Sequence, residues 1–554
     1  MSFRQMDANS SREKWKVWTP LFFSLVLIVG MVLGFNLRDT LRNKRDIGTI
    51  VERNDRLEEI IDLVNEKYVD TINSNHLYKD AVSGILKSLD PHTVYIPAED
   101  LQGVNDDLDG GFSGIGVEFS ILRDTIGITS VIENGPASRA GIHTGDQLVK
   151  VGDSIVAGNG INSDRIIHLL KGKQRSKVLV TLRMPESNSL KEVPIIRDII
   201  PIYSVDASLM LDNNTGYIKI NRFSATTYKE FASALDVLKE NGAKQMVVDL
   251  RENPGGYLDA ANSIAGDFLG DNKLVVYTKG THTIKTEYRA NEEGAFTAGK
   301  LIVLVDEGSA SASEILAGSI QDWDRGVIMG RRTYGKGLVQ EQYEMPDGAA
   351  LRLTIAKYYT PSGRCIQRSF ANGKAAYRED YEKRFETGEL IGFDTTANTD
   401  TVKFYTSRNR VVYGGGGIKP DVYVPYDTNR ISNVIIEALS SDELKIALWD
   451  YFITNRNSFK FKDIKDFEEN FDETDEVKDI FLSDLKGDTR RSVVKALQKR
   501  TASTYFNLHL KARLARYLFH DNGYYSITVK DDNMVKKALA LIHSNEYSKL
   551  IKRK

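Results

Sequence analysis

The run Leu-Ile-Val-Leu-Val-Asp-Glu-Gly-Ser-Ala-Ser-Ala-Ser-Glu-Ile at residues 301–315 constrains the chain more than any other stretch. Five successive aliphatic residues need apolar cover on both faces, the environment of a strand inside a parallel sheet. The glycine and small residues that follow can turn the backbone tightly, and a helical pattern opens at Ala312. A strand that turns straight into a helix is the repeating unit of an α/β core. The texture recurs in a strand at 245–250, a helix at Leu258–Leu269 and an apolar strand at 327–329, so residues 195–424 read as an α/β domain. The same elbow sets a hydroxyl beside free amides at a helix N-terminus, where negative charge is stabilised. Ser309, Ser311 and Ser313 all qualify as a nucleophile, and each also fits simple helix capping.

A serine nucleophile needs a base. None of the eight histidines sits in a pattern that aims it at the elbow. A lysine serves if burial lowers its pKa until it is neutral near pH 7. Thr333-Tyr334-Gly335-Lys336-Gly337 follows the strand at 327–329 and offers one. Lys336 and Gln340 are four apart on an expected strand, hence on one face, so Gln340 is placed to orient the amine. Acyl transfer also needs donors for an oxyanion. The turn Glu252-Asn253-Pro254-Gly255-Gly256 can bring backbone amides to a carbonyl without side-chain obstruction, and Ala312 supplies a second donor. Gly255 and Gly256 are therefore both candidate donors beside Ala312.

Upstream, residues 110–183 change to short β-branched strands broken by glycines. Gly114-Ile115-Gly116-Val117 precedes a strand, and its two glycines let successive amides point at one spot suited to a carboxylate. Val131-Ile132, Gly135-Pro136-Ala137, Ala140-Gly141 and Gly145-Asp146-Gln147-Leu148 follow, then a helix from Asn162 to Leu170. The ordered set resembles a PDZ domain. The resemblance implies a groove in which Gly114, Ile115, Gly116 and Val117 hold the C terminus of a peptide added as an extra strand.

At 554 residues and a formal charge of −2, the chain is expected to form several domains and has no basic face for nucleic acid. One cysteine, Cys365, excludes an internal disulfide, and no P-loop or zinc motif is present, so no cofactor or metal is expected. Residues 17–35 form an uncharged run, about long enough for a bilayer, with Trp15 and Trp18 at its edge. It ends without a small-residue cleavage pattern and reads as one uncleaved membrane helix. The flanking positive charges are balanced, so direction is not set by them. Residues 46 to about 100 show helical spacing. Past residue 429 the chain is charged and helical, with no catalytic pattern, and is expected either to self-associate or to bind an adaptor.

Leu-Asp-Pro-His-Thr (89–93), Asp-Leu-Arg-Glu-Asn-Pro-Gly-Gly (249–256), Gly-Ser-Ala-Ser-Ala-Ser-Glu-Ile (308–315), Tyr-Gly-Lys-Gly (334–337) and Tyr-Thr-Pro-Ser-Gly-Arg (359–364) together resemble the carboxy-terminal processing (tail-specific) serine peptidases. Their spacing, with the nucleophile 25 residues before the lysine, selects Ser311 and pairs it with Lys336, the family's glutamine falls on Gln340, and the implied mechanism has the Gly255 and Ala312 amides as the oxyanion hole. The family more often has Asn where this chain has Glu252, and Phe where it has Tyr334. The resemblance implies a crotonase-like α/β peptidase core with an inserted PDZ domain; the N-terminal transmembrane helix and the helical C-terminal extension are read from the residues themselves, and the extension is less typical of the family. The expected division is a cytoplasmic segment 1–17, an anchor 18–35, a helical region 46–101, the PDZ domain 102–190, the core 191–428 and the extension 429–554. The implied activity is cleavage of exported proteins on the periplasmic or extracytoplasmic side of the cell membrane, with substrates recognised by their C termini. Two rival readings are a catalytically silent PDZ scaffold and a crotonase-type acyl-coenzyme A enzyme.

Overall fold

The structure, a computed structural model, describes residues 56–552 apart from 159, 161, 186–187, 393–401 and 428–430. The expected membrane helix at 18–35 lies outside the described residues, and among those described no helix is long and apolar enough to cross a membrane. The chain divides into two compact units, Met1–Gly84 and Ile85–Lys554. The first contributes the helix Arg56–Lys67 and most of the helix Ser74–Lys87.

The second unit is built on a six-stranded sheet. Val205–Met210 runs antiparallel to Thr215–Ile220, and Gln245–Asp249, Leu301–Val305, Val327–Gly330 and Val422–Tyr423 continue in parallel. All five residues of Leu301–Val305 are fully buried. Leu301, Val303 and Val305 pack with the helices Thr227–Glu240, Leu258–Leu269 and Ala312–Asp322, while Ile302 and Leu304 face the other side. The alternation follows from the two-residue period of a strand, and both faces are covered as a parallel sheet requires.

The cover on the second face comes from the far end of the chain. Met534, Val535, Ala538, Ile542, Tyr547 and Ile551 lie against Tyr217, Ile302, Leu304, Val327 and Met329. These side chains belong to the helices Asn533–His543 and Glu546–Lys552. The Tyr547 hydroxyl also accepts from the Leu301 amide at 2.8 Å. Each large aliphatic side chain buried here contributes roughly 1.5–3 kcal/mol. The helical extension thus ends as a layer of the core. Its earlier part, from Asn433 to the helix Arg500–Thr528, has a hydrophobic core of its own around Leu448, Phe467, Phe481 and Phe506.

A second sheet carries the lysine loop. Leu338–Glu344 pairs with Ala350–Tyr359, which also pairs with Val94–Ile96 and Leu274–Lys279. Val94–Ile96 falls inside the stretch expected to be wholly helical; Asp90-Pro91 stops the preceding helix and the Thr-Val-Tyr-Ile run takes up sheet pairing instead. The PDZ sheet comprises Val117–Leu122, Thr125–Val131, Gln147–Val151, the short Ser154–Ile155 beside it, Lys177–Arg183 and Leu190–Ile196, so its last strand runs beyond residue 190. Gly111–Gly114 and Asp198–Pro201 pair as a two-stranded neck below it. The extension also braces the PDZ domain. A Cβ on Gly127 would stand 2.5 Å from the Trp449 ring, Arg123 pairs with Asp450 at 2.7 Å, and Ser130 Oγ lies 2.9 Å from His520 Nδ1.

Candidate active site

The three serines of the elbow separate by burial and bonding. Ser309 and Ser313 are fully buried, and their hydroxyls donate to the carbonyls of Leu250 (2.8 Å) and Asn253 (3.0 Å). Ser311 alone keeps exposed surface, at the N-cap of Ala312–Asp322 with φ 53° and ψ −112°. That backbone is outside the comfortable regions for a side-chain-bearing residue, and such strain is held only where the surroundings dictate it. Gly255 is part of those surroundings: with φ 98°, it approaches so closely that a Cβ would stand 2.7 Å from Ser311 Cβ and 2.9 Å from the Ala312 nitrogen.

Glu314, one turn into the helix, joins the elbow to the lysine loop. Its Oε2 accepts the amides of Ser311 (2.9 Å) and Lys336 (2.8 Å), and its Oε1 accepts the Gly335 amide (2.8 Å) and the Thr333 hydroxyl (2.5 Å). One carboxylate therefore positions the backbone of both expected partners. Burial pushes its pKa up to about 7 against the pull of these donors. Tyr358 adds a second brace, its buried hydroxyl lying between the carbonyls of Lys336 and Ser311. Thr333 is held in turn by the Ile418 amide, and Gly417 packs so tightly on the Thr333 carbonyl that a Cβ would meet it at 2.6 Å. The glycine run at 414–417 is thus a backbone-to-backbone contact behind the lysine.

Lys336 lies two residues before its strand. Burial lowers its pKa, the Arg352 guanidinium adds to the effect, and Asp90 and Glu314 oppose it. Among the described residues no hydrogen bond joins Ser311 Oγ to Lys336 Nζ; catalytic hydrogen bonds commonly tighten only in the substrate complex. The side-chain amide of Gln340 donates to the His92 carbonyl, and the extra residue at the register shift beside it, Ile355, belongs to the partner strand, so the alternation of its own strand is kept. His92 itself stands near the lysine, which sequence spacing did not suggest. Its Nε2 is 3.1 Å from the Tyr377 hydroxyl, and burial, followed by the Lys336 charge, lowers its pKa to about 4, so it is neutral at pH 7.

The glycine turn is tied to the elbow by the Ala310 amide donating to the Asn253 carbonyl at 2.9 Å. The Gly255 amide donates to Asn253 Oδ1 at 2.8 Å and is therefore engaged. Among the described residues, the amides of Ala312 and Gly256 carry no such bond. Glu252 has φ 62°, a conformation that Asn tolerates better than Glu, which accounts physically for the family preference at this place. No group of three or more His, Cys, Asp or Glu among the described residues is placed to hold a metal ion.

In the PDZ domain, Gly114, Ile115, Gly116 and Val117 line a cavity of about 740 Å³ whose opposite wall is Ser163, Ile167 and Leu170. The helix Ala98–Asp109 contributes Gly103, Asp106 and Asp107 to the same groove. Lys171 Nζ pairs with Asp106 at 2.8 Å and lies 4.4 Å from the centre of the Phe112 ring. This helix was not expected to reach the groove.

The fold and the elbow define a serine peptidase that carries a PDZ domain. Residues 214–373 match the model of peptidase family S41, residues 104–183 match the PDZ domain, and residues 438–521 match DUF8443, a family of unknown function. A probable CtpA-like serine protease of Staphylococcus aureus (strain N315) is 32% identical over 378 residues, covering 66% of this chain and 74% of that protein. The carboxy-terminal processing protease CtpA of Bacillus subtilis (strain 168) is 30% identical over 358 residues, covering 64% of this chain and 76% of its own. Among solved structures, the photosystem II D1 C-terminal processing protease aligns at 28% identity over 57% of this chain and 91% of its own, with a TM-score of 0.32. The chain belongs to the carboxy-terminal processing serine peptidases of family S41.

Proposed function

We propose that Ser311 is the nucleophile and neutral Lys336 the general base of an endopeptidase that cleaves exported proteins recognised by their C termini. The observation that carries this reading is the Glu314 carboxylate, which fixes the backbone of a strained serine and of a lysine together, both half-buried. Lys336 takes the Ser311 proton as Oγ attacks the peptide carbonyl. The oxyanion is held by the Ala312 amide and an amide of the Gly255–Gly256 turn, the Gly255 amide exchanging Asn253 for substrate if it is the donor. Lys336 then protonates the leaving amine, and deprotonates the water that releases the acyl group.

In the same proposal, Gly114–Val117 receives the substrate carboxylate while Ile167 and Leu170 receive its last apolar side chain. The run at 18–35 anchors the chain, with the peptidase outside the cytoplasm. Labelling by a fluorophosphonate tests the site: Ser311→Ala abolishes labelling and peptide cleavage, and retained labelling would refute the assignment. An alkaline phosphatase fusion after residue 45 is expected to be active; an inactive fusion would refute the orientation.

A further inference from the structure

We propose that Asp532, in the C-terminal extension, is a positioning residue for the peptidase site and acts through Arg251. Arg251 is where the strand Gln245–Asp249 passes into the glycine turn. Its Nε donates to both carboxylate oxygens of Asp249, at 2.9 and 3.0 Å, and its Nη2 donates to Asp249 Oδ2. Nη1 points the other way and donates to Asp532 Oδ2 at 2.7 Å. The other oxygen of Asp532 accepts the amides of Met534 (2.8 Å) and Val535 (3.0 Å) and so caps the helix Asn533–His543. One carboxylate therefore fastens the closing helix of the core with one oxygen and the oxyanion turn with the other.

The charge balance around Arg251 shows what the contact does. Asp249 is fully buried and receives the Tyr217 hydroxyl at 2.7 Å, while Lys219 Nζ lies 3.7 Å from it and donates to the Arg251 carbonyl at 2.7 Å. Arg251 thus faces two carboxylates, Asp249 and Asp532, while Lys219 also feels Asp206. Without the Asp532 charge, Nη1 of Arg251 loses its charged partner in a largely buried place. Arg251 then has reason to swing toward water. The turn it begins runs through Asn253 to Gly255, which is pressed against Ser311. A small displacement there moves the oxyanion donors, and a misplacement of about 1 Å can lower turnover by on the order of 100-fold. Substrate docking in the PDZ groove involves none of these groups.

The inference rests on Ser311 being the nucleophile. It is tested with the full chain carrying Asp532→Asn or Asp532→Ser, both of which keep an oxygen able to cap the helix. Asn then turns its amide toward Arg251, and Ser is too short to reach it. The expected result is a kcat lowered between about 10- and 100-fold in both variants, with KM and the unfolding midpoint close to those of the parent. Asp463→Ala is the control, because it removes the cap of another helix of the extension, Ile464–Asn470, and is expected to leave kcat unchanged. An unchanged kcat in both Asp532 variants overturns the proposal, as does an equal loss of kcat in Asp463→Ala. Ser311→Ala measured alongside separates the two claims: if it still cleaves, the nucleophile assignment has failed, whereas an inert Ser311→Ala beside fully active Asp532 variants removes this inference alone.

Discussion

The strain at Ser311 can be measured by comparing two inactive variants. Ser311→Ala and Ser311→Gly both remove the hydroxyl, so any difference between them reports on the Cβ at φ 53°, ψ −112°. Backbone of this kind costs roughly 1–3 kcal/mol for a residue with a side chain, and glycine escapes most of it. Glycine also makes the unfolded chain more flexible, which offsets about 0.4–1 kcal/mol. The net expectation is that Ser311→Gly is more stable than Ser311→Ala by about 1 kcal/mol, or about 2–4 °C for a domain of this size. Guanidinium unfolding followed by tryptophan fluorescence can read it. Trp323 caps the C-terminal end of the elbow helix, and its indole N–H donates to the Leu274 carbonyl at 2.7 Å, so it reports on the core that holds the elbow. Equal stability, or a more stable Ala variant, would show that the elbow stores no strain.

Glu314→Gln would set an amide group against backbone and hydroxyl donors, so a loss of about 1–3 kcal/mol for each donor left unmet is expected, with loss of fluorophosphonate labelling. The Glu314 carboxyl is raised from 4.5 to about 7 in the folded chain, so its contribution to stability is present below pH 4.5 and is lost as pH rises through about 7; the Gln variant flattens that slope in a pH series of unfolding curves. Lys336 has a folded-state pKa below its ordinary 10.5, so the cost of burying its charge is relieved as pH rises toward 10.5. Lys336→Met is expected to remove that gain in stability and to lower cleavage by roughly 10²–10⁴-fold; an alkaline gain that persists in the variant would assign it elsewhere. Glu252→Asn should stabilise the chain by about 1 kcal/mol in the same unfolding assay, since Asn accepts the positive φ more readily.

Local chemistry was legible in the sequence. The buried strand Leu301–Val305, the helices Leu258–Leu269 and Ala312–Asp322 and the groove-wall helix at Ser163–Leu170 follow from periodicity and capping, which act within a few residues. Ser-x-x-Glu at 311–314 was readable as a capping box, but its reach to Gly335 and Lys336 depends on the fold bringing two loops together. Gln340 shows the limit of counting along a strand: Lys336 lies two residues before the strand that carries Gln340, so alternation alone does not put them on one face, and the bond from Gln340 to the His92 carbonyl depends on a distant loop. Asn253 was equally hidden, because nothing in a glycine turn announces that a neighbour's side chain will occupy the amide expected to serve the oxyanion. The closing helices were read as part of a separate extension, since an amphipathic pattern gives the same signal whether its partner is another helix or a sheet laid down earlier.

That late cover gives the fold an order in time. The last strand of the central sheet ends at Tyr423, yet most of the cover on its second apolar face comes from Asn533–His543 and Glu546–Lys552. A chain made from its N-terminus at roughly 5–20 residues per second leaves that face open for about 5–20 s after the strands are complete, while about 110 further residues appear. During this window the nascent protein exposes Ile302, Leu304 and Met329, the surface most prone to sticking to other chains, and lacks Asp532 beside Arg251. Assembly of the peptidase is therefore a late event in the life of each molecule, and a chaperone or a sheltering exit route has its strongest reason to act on this protein just before the final helices arrive.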